Sequence, residues 1–509
     1  MTIQEKEGLV EKLDEAFDDL KGYILCAVGR EDLHQVEQTL FGRLQRMGLL
    51  SLERFVAESG SGYEAGHPPL TEEGQPMRYK GTVDSPYFSI FGELSIPRSA
   101  YAHPDGSYVY PIDAQLNLPS HKHSYLLVKW LQASAAKENF REAVSGFNEV
   151  FGFCFFPELP QRLGGDLAAY VEPFYQQVQA PASDTEGSHI AISADSKGVR
   201  ILRSERADAK AEALPKPRLG KGEKPGIKKD AVVTTDFSFD PEARHPEEIV
   251  KGLLNRFTQE EKERAKQERQ RRREEGLPYA RTPFNKHVFA TLDGKAEAFD
   301  HLVAHVLKRD PTGQKPLIAL LDGDPHLEDG LIKKLKACGL KDRLDALILD
   351  IIHASEYLWD VGTALYGEKG PDRVKWVEDK LRALLDSQVG YVIGGLRQTR
   401  TKRKGRLPDA QDKVLEKTIT YFENHRHMMD YAAYLEKGYP ISTGTVEGTC
   451  GSLVKDRMEE SGMRWSIAGA QAVLKQRAVV KNGDWSKFWE FYIDSERSRL
   501  YPTEYERAA

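Results

Sequence analysis

The chain has 509 residues, of which 29% are charged and 40% hydrophobic, and its net charge is −6. That length exceeds what a single core organises and points to roughly two to four domains of a globular protein. No apolar run is long enough to span a bilayer, and the acidic start MTIQEKEGLVEKLDEAFDDL is unlike a signal or transit peptide. A cytoplasmic protein with no membrane partner is the expectation, nucleoid-associated if DNA is its ligand. Cys26, Cys154, Cys338 and Cys450 lie far apart without a CxxC pair, so neither a disulfide framework nor a cysteine zinc site is expected. They read as reduced and buried.

Residues 1–60 read as helices, because Leu13, Phe17, Leu20 and then Val36, Leu40, Leu44 recur at helical spacing. A Gly- and Pro-rich linker follows to Pro76. Residues 77–120 alternate and are aromatic, as in TVDSPYFSIFGELSIPRSAY, which predicts a small antiparallel β segment. From 121 to 180 the pattern is helical again, in SYLLVKWLQASAA, NFREAVSGFNEVFG and LPQRLGGDLAAYVEPF. Three short helices of this kind fit a helix-turn-helix that reads DNA, and equally a plain helical subdomain.

The next region carries the chemistry. HIAISA predicts a strand ending at Asp195, DAVVTTDFSF a second and KHVFATL a third. The helix KAEAFDHLVAHVLKR leads to the strand PLIALLD, ending at Asp322. LEDGLIKKLKACG then leads to DALILD, ending at Asp350. This element order is that of an RNase H-like α/β domain, with the first, fourth and fifth strands parallel and adjacent. The domain is expected over 185–353 and 440–492, interrupted by an all-helical insertion at 354–439. The charged helix near Glu260–Glu275 has no apolar stripe and reads as a solvated excursion.

Three carboxylates from separate elements can hold two Mg²⁺ or Mn²⁺ ions, since Mg²⁺ prefers oxygen ligands and keeps several waters. Such a pair can serve an in-line phosphoryl displacement. Asp195, Asp322 and Glu447 are the candidate catalytic and metal-binding residues. Asp324, in LLDGDP, competes with Asp322 for the second position. Asp350 and His353 form a candidate supporting pair, although His353 can also be read as a residue of a helix start. Glu447, beside Val446, Leu453 and Val454, reads as a carboxylate on a half-buried helix face or one favoured by the helix dipole.

Lys455, Arg457 and Arg464 follow Glu447 and could hold phosphate. The run RQTRTKRKGR contributes Arg397, Arg400, Lys402, Arg403 and Lys404 as candidate DNA contacts, and Lys216–Lys229 is a second basic stretch.

The run GYPISTGTVEGTCGSLVKDRMEESGMRW, with GAQAVLKQRA and NGDWSKFW after it, closely resembles bacterial insertion-sequence transposases of the ISKra type. These are DDE-class enzymes related to Mutator-like transposases. KGVRI after Asp195, LLDGDP around Asp322, DIIHASEYLW and YFENHRHMMDY are further similarities, from about residue 85 to 492. The resemblance implies binding of double-stranded DNA at terminal inverted repeats, metal-dependent cleavage, and strand transfer into target DNA by a homo-oligomer. It places the acidic triad on Asp195, Asp322 and Glu447, and a D-x-x-H pair on Asp350 and His353. Relatives often carry a cysteine-bearing zinc-ribbon-like segment, but RSAYAHPDGSYVYPID has no cysteine, so no structural zinc is expected. A nuclease or resolvase without strand transfer and a non-catalytic DNA-binding derivative are the alternatives.

Overall fold

A computed structural model describes residues 3–71, 73–205, 228–275, 283–403, 405, 407–442, 448, 451–460 and 462–502. Glu447, Lys404, Cys450 and residues 216–227 of the second basic stretch lie outside the described residues. The chain divides into two compact units, residues 1–176 with 483–509, and residues 177–482.

The first unit begins with two long helices, α1 (Ile3–Ala27) and α2 (Leu33–Ser59), packed together as a hairpin. Asp32 and Gln35 form a reciprocal capping box at the start of α2. The expected β segment is present. β1 (Arg78–Ser89) pairs antiparallel with β2 (Gly92–Ala102) through a two-residue turn, and β3 (Tyr108–Val109) adds to β2. A one-turn helix, α3 (Pro111–Gln115), leads to α4 (Tyr125–Ala135), α5 (Phe140–Phe151), α6 (Glu158–Ala168) and α7 (Val171–Gln177). Ser124 caps α4 and Asn139 caps α5, each accepting from a backbone N–H three residues on. Gly152 closes α5 in a left-handed conformation, φ 71°, that suits glycine. The cysteine expectation needs correction: Cys26 and Cys154 are exposed and Cys338 is half-buried. At Cys154 the alternation is the cause, since Phe153 and Phe155 take the inward positions on either side.

The second unit is α/β. Its strands are β4 (His189–Arg200), β5 (Lys228–Phe239), β6 (Phe284–Thr291), β7 (Leu317–Leu321) and β8 (Leu344–Leu349). They form one sheet in the order β6-β5-β4-β7-β8. β5 pairs antiparallel with both β4 and β6, whereas β7 pairs parallel with both β4 and β8, as the element order predicts. All five residues of β7 and Ile190–Ala194 of β4 are buried, which is why these strands read as continuous apolar runs. One expectation is revised: β4 does not stop at Asp195 but continues to Arg200, because β5 pairs with it as far as Lys228.

Helices α8 (Pro246–Leu253) and α9 (Gln259–Glu274) follow β5. α9 buries no residue and is laced by Arg271 and Arg272 pairing with Glu268 and Glu275. α10 (Lys295–Arg309) and α11 (Pro325–Ala337) flank β7 in sequence, as crossovers between parallel strands. The helical segment after β8 comprises α12 (Ile351–Tyr366), α13 (Pro371–Leu385), α14 (Val389–Lys402), α15 (Asp409–Asn424) and α16 (Tyr431–Glu436). Leu358, Leu381, Val392, Leu415 and Phe422 join Ile190, Leu320 and Ile348 in one buried cluster, so this segment shares the core of the sheet. After Gly451–Lys455, a π-helical turn, and the short α17 (Asp456–Met458), α18 (Ile467–Lys481) packs on β6. The expected 440–492 segment is thereby divided, since α19 (Trp485–Leu500) lies in the first unit.

Beneath the antiparallel half of the sheet lies a buried polar cluster. Asp236 accepts from His305 Nδ1 at 2.8 Å and from Arg309 at 2.7 Å, and Arg309 also clasps Glu186. His287 and His301 approach through their Nε2 atoms at 3.0 Å, and His301 stacks on Phe289. Burial would raise the Asp236 carboxyl, but His305, His287 and Arg309 outweigh it and hold it well below the carboxylate range. Burial, with His305 adding repulsion, pushes His301 down to about 3 and His287 well below its ordinary value. A histidine depressed on folding stabilises the fold fully above its unfolded value near ~6.5, and that contribution is lost as pH falls toward the folded value. The melting temperature of the second unit should therefore drop between neutral pH and pH ~4. His301→Phe should flatten that drop in scanning calorimetry. An unchanged acid profile in this variant would show that the stacked imidazoles do not govern it.

Candidate active site

Residues 190–193 of β4 lie opposite 317–320 of β7 in parallel register. Carrying that register two steps on sets Asp195 opposite Asp322, the first residue after β7. Both side chains are half-buried. The Asp322 carboxyl is pushed above its ordinary value, chiefly by burial and further by the charge of Asp195; the Asp324 N–H and His353 oppose the shift. Asp195 Oδ1 accepts the N–H of Ser196 at 2.6 Å, and Asp322 Oδ1 accepts that of Asp324 at 2.9 Å.

Asp324 is already committed. It caps α11 through the N–H of His326 at 2.8 Å and takes Lys295 Nζ on its other oxygen at 3.1 Å. Asp350 is fully buried, caps α12 through the N–H of Ile352 at 2.8 Å, and donates its own N–H to the Leu321 carbonyl. Its work is architectural: it starts the helix whose first turn carries His353 to the Asp322 side of the sheet. His353 also faces Glu356 at 3.4 Å. Asp195, Asp322 and His353 thus converge, Asp350 stands behind them, and Glu447 lies outside the described residues. Among the described residues, no group of three or more His, Cys, Asp or Glu side chains could by itself hold a metal ion.

A further group escaped sequence reasoning. Tyr421 of α15 donates its hydroxyl to the Asp322 backbone carbonyl at 2.6 Å and stacks on Tyr357 with ring centres 3.9 Å apart. Burial, followed by repulsion from Tyr357, Asp322 and Asp350, pushes the Tyr421 phenol far up, so the hydroxyl remains a donor. Gly323 makes this approach possible. Its φ is 89°, and a Cβ there would stand 2.9 Å from the Tyr421 oxygen. The available signal was the segment YFENHRHMMDY, whose first residue is Tyr421.

The basic candidates separate sharply. Arg457 is wholly buried, with its guanidinium 4.9 Å from the centre of the Trp465 ring and Nη1 3.7 Å from Met463 Sδ. Closed off from solvent there, it is not positioned to meet a phosphate backbone. Arg397 pairs with Glu423, and Arg400 grips Asp412 with two bonds of 2.7 and 2.8 Å. These acids, supplied by α15, offset much of the charge that made the run look basic. Lys402, Lys455 and Arg464 are exposed, and Arg403 is half-exposed.

The block after Gly451 is tied to the strand that carries Asp195. Trp465 donates its N–H to the Arg200 carbonyl at 3.0 Å, and Leu202 donates back at 2.7 Å. Arg477 of α18 donates to the carbonyls of Ser452 and Leu453 in the π-helical turn. Lys228 and Lys197 reach Glu459 at 3.0 and 3.9 Å. Lys197 follows Asp195 by two residues and so shares its face of β4.

No protein-family model matches the chain, and no curated protein matches it. The site stands on its own geometry.

Two substitutions probe the support beneath Asp322. Tyr421→Phe should cost about 1 kcal/mol, the net worth of one hydrogen bond. Gly323→Ala should cost more, on the order of 1–3 kcal/mol, because strained backbone and steric collision coincide. Urea unfolding measures both. An alanine at 323 with native stability would contradict the close approach of Tyr421.

Proposed function

We propose that the second unit is an RNase H-like catalytic domain and that the protein is a DDE transposase, which cleaves and joins DNA at the ends of its own element. The single observation that carries this reading is the pair Asp195 and Asp322, in register on adjacent parallel strands of a sheet ordered third-second-first-fourth-fifth. Strand connectivity of this kind brings carboxylates distant in sequence to one sheet edge. Glu447 supplies the third carboxylate of the proposal.

The donor set fits a hard divalent cation. Two half-buried carboxylates repel one another there, and oxygen ligands are what Mg²⁺ or Mn²⁺ takes. Asp195, Asp322 and Glu447 would hold two such ions, which supply Lewis-acid stabilisation of the attacking and leaving oxygens in phosphoryl transfer. Asp324 is occupied by Lys295 and its helix, so Asp322 is the ligand of choice. His353 sets the charge around Asp322, and Tyr421 fixes the backbone that presents it. Lys455 and Arg464 are cations available to hold the DNA phosphates, together with Lys402 and Arg403 on the helical segment.

In the first unit, the proposal assigns α4–α6 as the helix-turn-helix that reads the inverted repeats. Its support is the mutual packing of the three helices and the side-chain caps that open α4 and α5. The six residues between α5 and α6 are longer than the usual turn.

The decisive experiment incubates purified protein and Mg²⁺ with labelled DNA from the element's ends and a target plasmid. Cleaved ends joined to target are expected. Asp195→Asn and Asp322→Asn should each abolish cleavage and joining yet leave salt-sensitive DNA binding in place. His353→Ala should reduce the rate by about 10–100-fold, the range for groups that orient metal ligands. Cleavage without joining would instead identify a nuclease or resolvase. Binding alone, indifferent to both Asn substitutions, would identify a non-catalytic derivative.

A further inference from the structure

Helix α9 has 16 residues and buries none of them. A helix that is polar all round gains little from packing, so its charges have to account for it. Those charges are sorted by face. At about 100° per residue, Lys262, Lys266, Arg269 and Arg273 fall within an arc of about 60°. Arg272 and Ala265 border that arc on one side, Gln259 and Gln270 on the other, so an arc of about 160° holds no acid. The glutamates of the helix, Glu260, Glu261, Glu263, Glu268 and Glu274, all lie on the opposite face.

On the acidic face the helix meets its own needs. Glu261 accepts from Lys251 of α8 at 2.6 Å and from the Thr258 N–H at 2.8 Å, and Glu268 takes Arg271 and Arg272. The basic face does the reverse. Lys262, Lys266 and Arg273 are exposed, and among the described residues their side chains meet no carboxylate. Successive bases along the face are four, three and four residues apart, the spacing at which like charges on a helix repel. A helix serving only its own stability would set a glutamate among them. An anion laid along the face relieves the repulsion.

We infer that the basic face of α9 is a further docking surface for double-stranded DNA, lying along the sugar–phosphate backbone. From Lys262 to Arg273 the face is about 16 Å long. A duplex strand presents a phosphate every ~3.4 Å along its axis, so ammonium and guanidinium groups one helical turn apart can each reach one. Composition argues against other partners. The face has no apolar side chain larger than that of Ala265. It therefore lacks both the apolar surface that an interfacial helix buries in lipid and the aromatic centre of a protein interface. The inference takes from the proposed function only that duplex DNA is the ligand.

Fluorescence anisotropy of the full chain with a labelled duplex, in EDTA over a range of salt concentrations, tests it. Lys262→Gln, Lys266→Gln and Arg273→Gln combined should reduce the slope of log affinity against log salt by about three, equally on unrelated sequences. Lys266→Glu alone should weaken binding yet leave the urea unfolding midpoint unchanged or raised, since a glutamate there faces Lys262 and Arg269. Lys262→Arg with Lys266→Arg should retain the affinity. A wild-type chain that binds no duplex overturns the inference, as does an unchanged slope in the triple variant or a loss confined to one sequence. A Lys266→Glu midpoint that falls along with its affinity overturns it too, by marking the lysine as structural. EDTA keeps cleavage out of the comparison, so a chain that never cuts DNA would sink the transposase reading alone.

Discussion

Parallel pairing of β4 with β7 is the constraint on which the candidate site depends. Backbone hydrogen bonds between β7 and the buried 190–194 stretch of β4 leave no freedom of register, because a slip of one residue would turn every side chain to the opposite face. That lock is what holds Asp195 and Asp322 side by side. Left to themselves, two half-buried carboxylates would separate into water. The sheet imposes both their burial and their proximity; burial chiefly, and the charge of Asp195 in addition, raise the proton affinity of Asp322.

Support for the pair comes from elements remote in sequence. Tyr421 reaches the Asp322 carbonyl from a helix a hundred residues later, across the only kind of residue, glycine at positive φ, that admits it. Asp350 ends the neighbouring strand and begins the helix bearing His353. Since the helical segment shares a single buried cluster with the sheet, it acts as the wall that fixes these groups rather than as an appendage. Ties from Trp465 to Arg200 and from Arg477 to the π-helical turn bring the block after Gly451 against the same strand.

Charge along the chain proved a poor guide to surface charge. Arg397 and Arg400 looked available in a run without acids, yet α15 brings Glu423 and Asp412 to them. Arg457 looked like a phosphate ligand and is instead enclosed beside Trp465. Lys197, less conspicuous in sequence, lies on the strand that carries Asp195, and Lys228 lies on its partner β5. In the first unit the same logic runs in reverse: hydrophobic residues at helical spacing look like core, but Phe17 and Leu44 are exposed because the hairpin buries only the adjoining stripe.

Local pattern was enough to determine the strands, the crossover helices and their order, since burial on both faces writes continuous apolar runs and amphipathic helices write a repeat near 3.6. It was also enough to mark Asp322 and Asp350 at strand ends. Tertiary structure alone decided that β4 runs past Asp195, that Asp324 is a helix cap bound to Lys295, and that Tyr421 underlies the site. Those outcomes depend on which partner each group meets across dozens of residues. A sequence states what a side chain can do, whereas the packed fold determines what it has left to do it with.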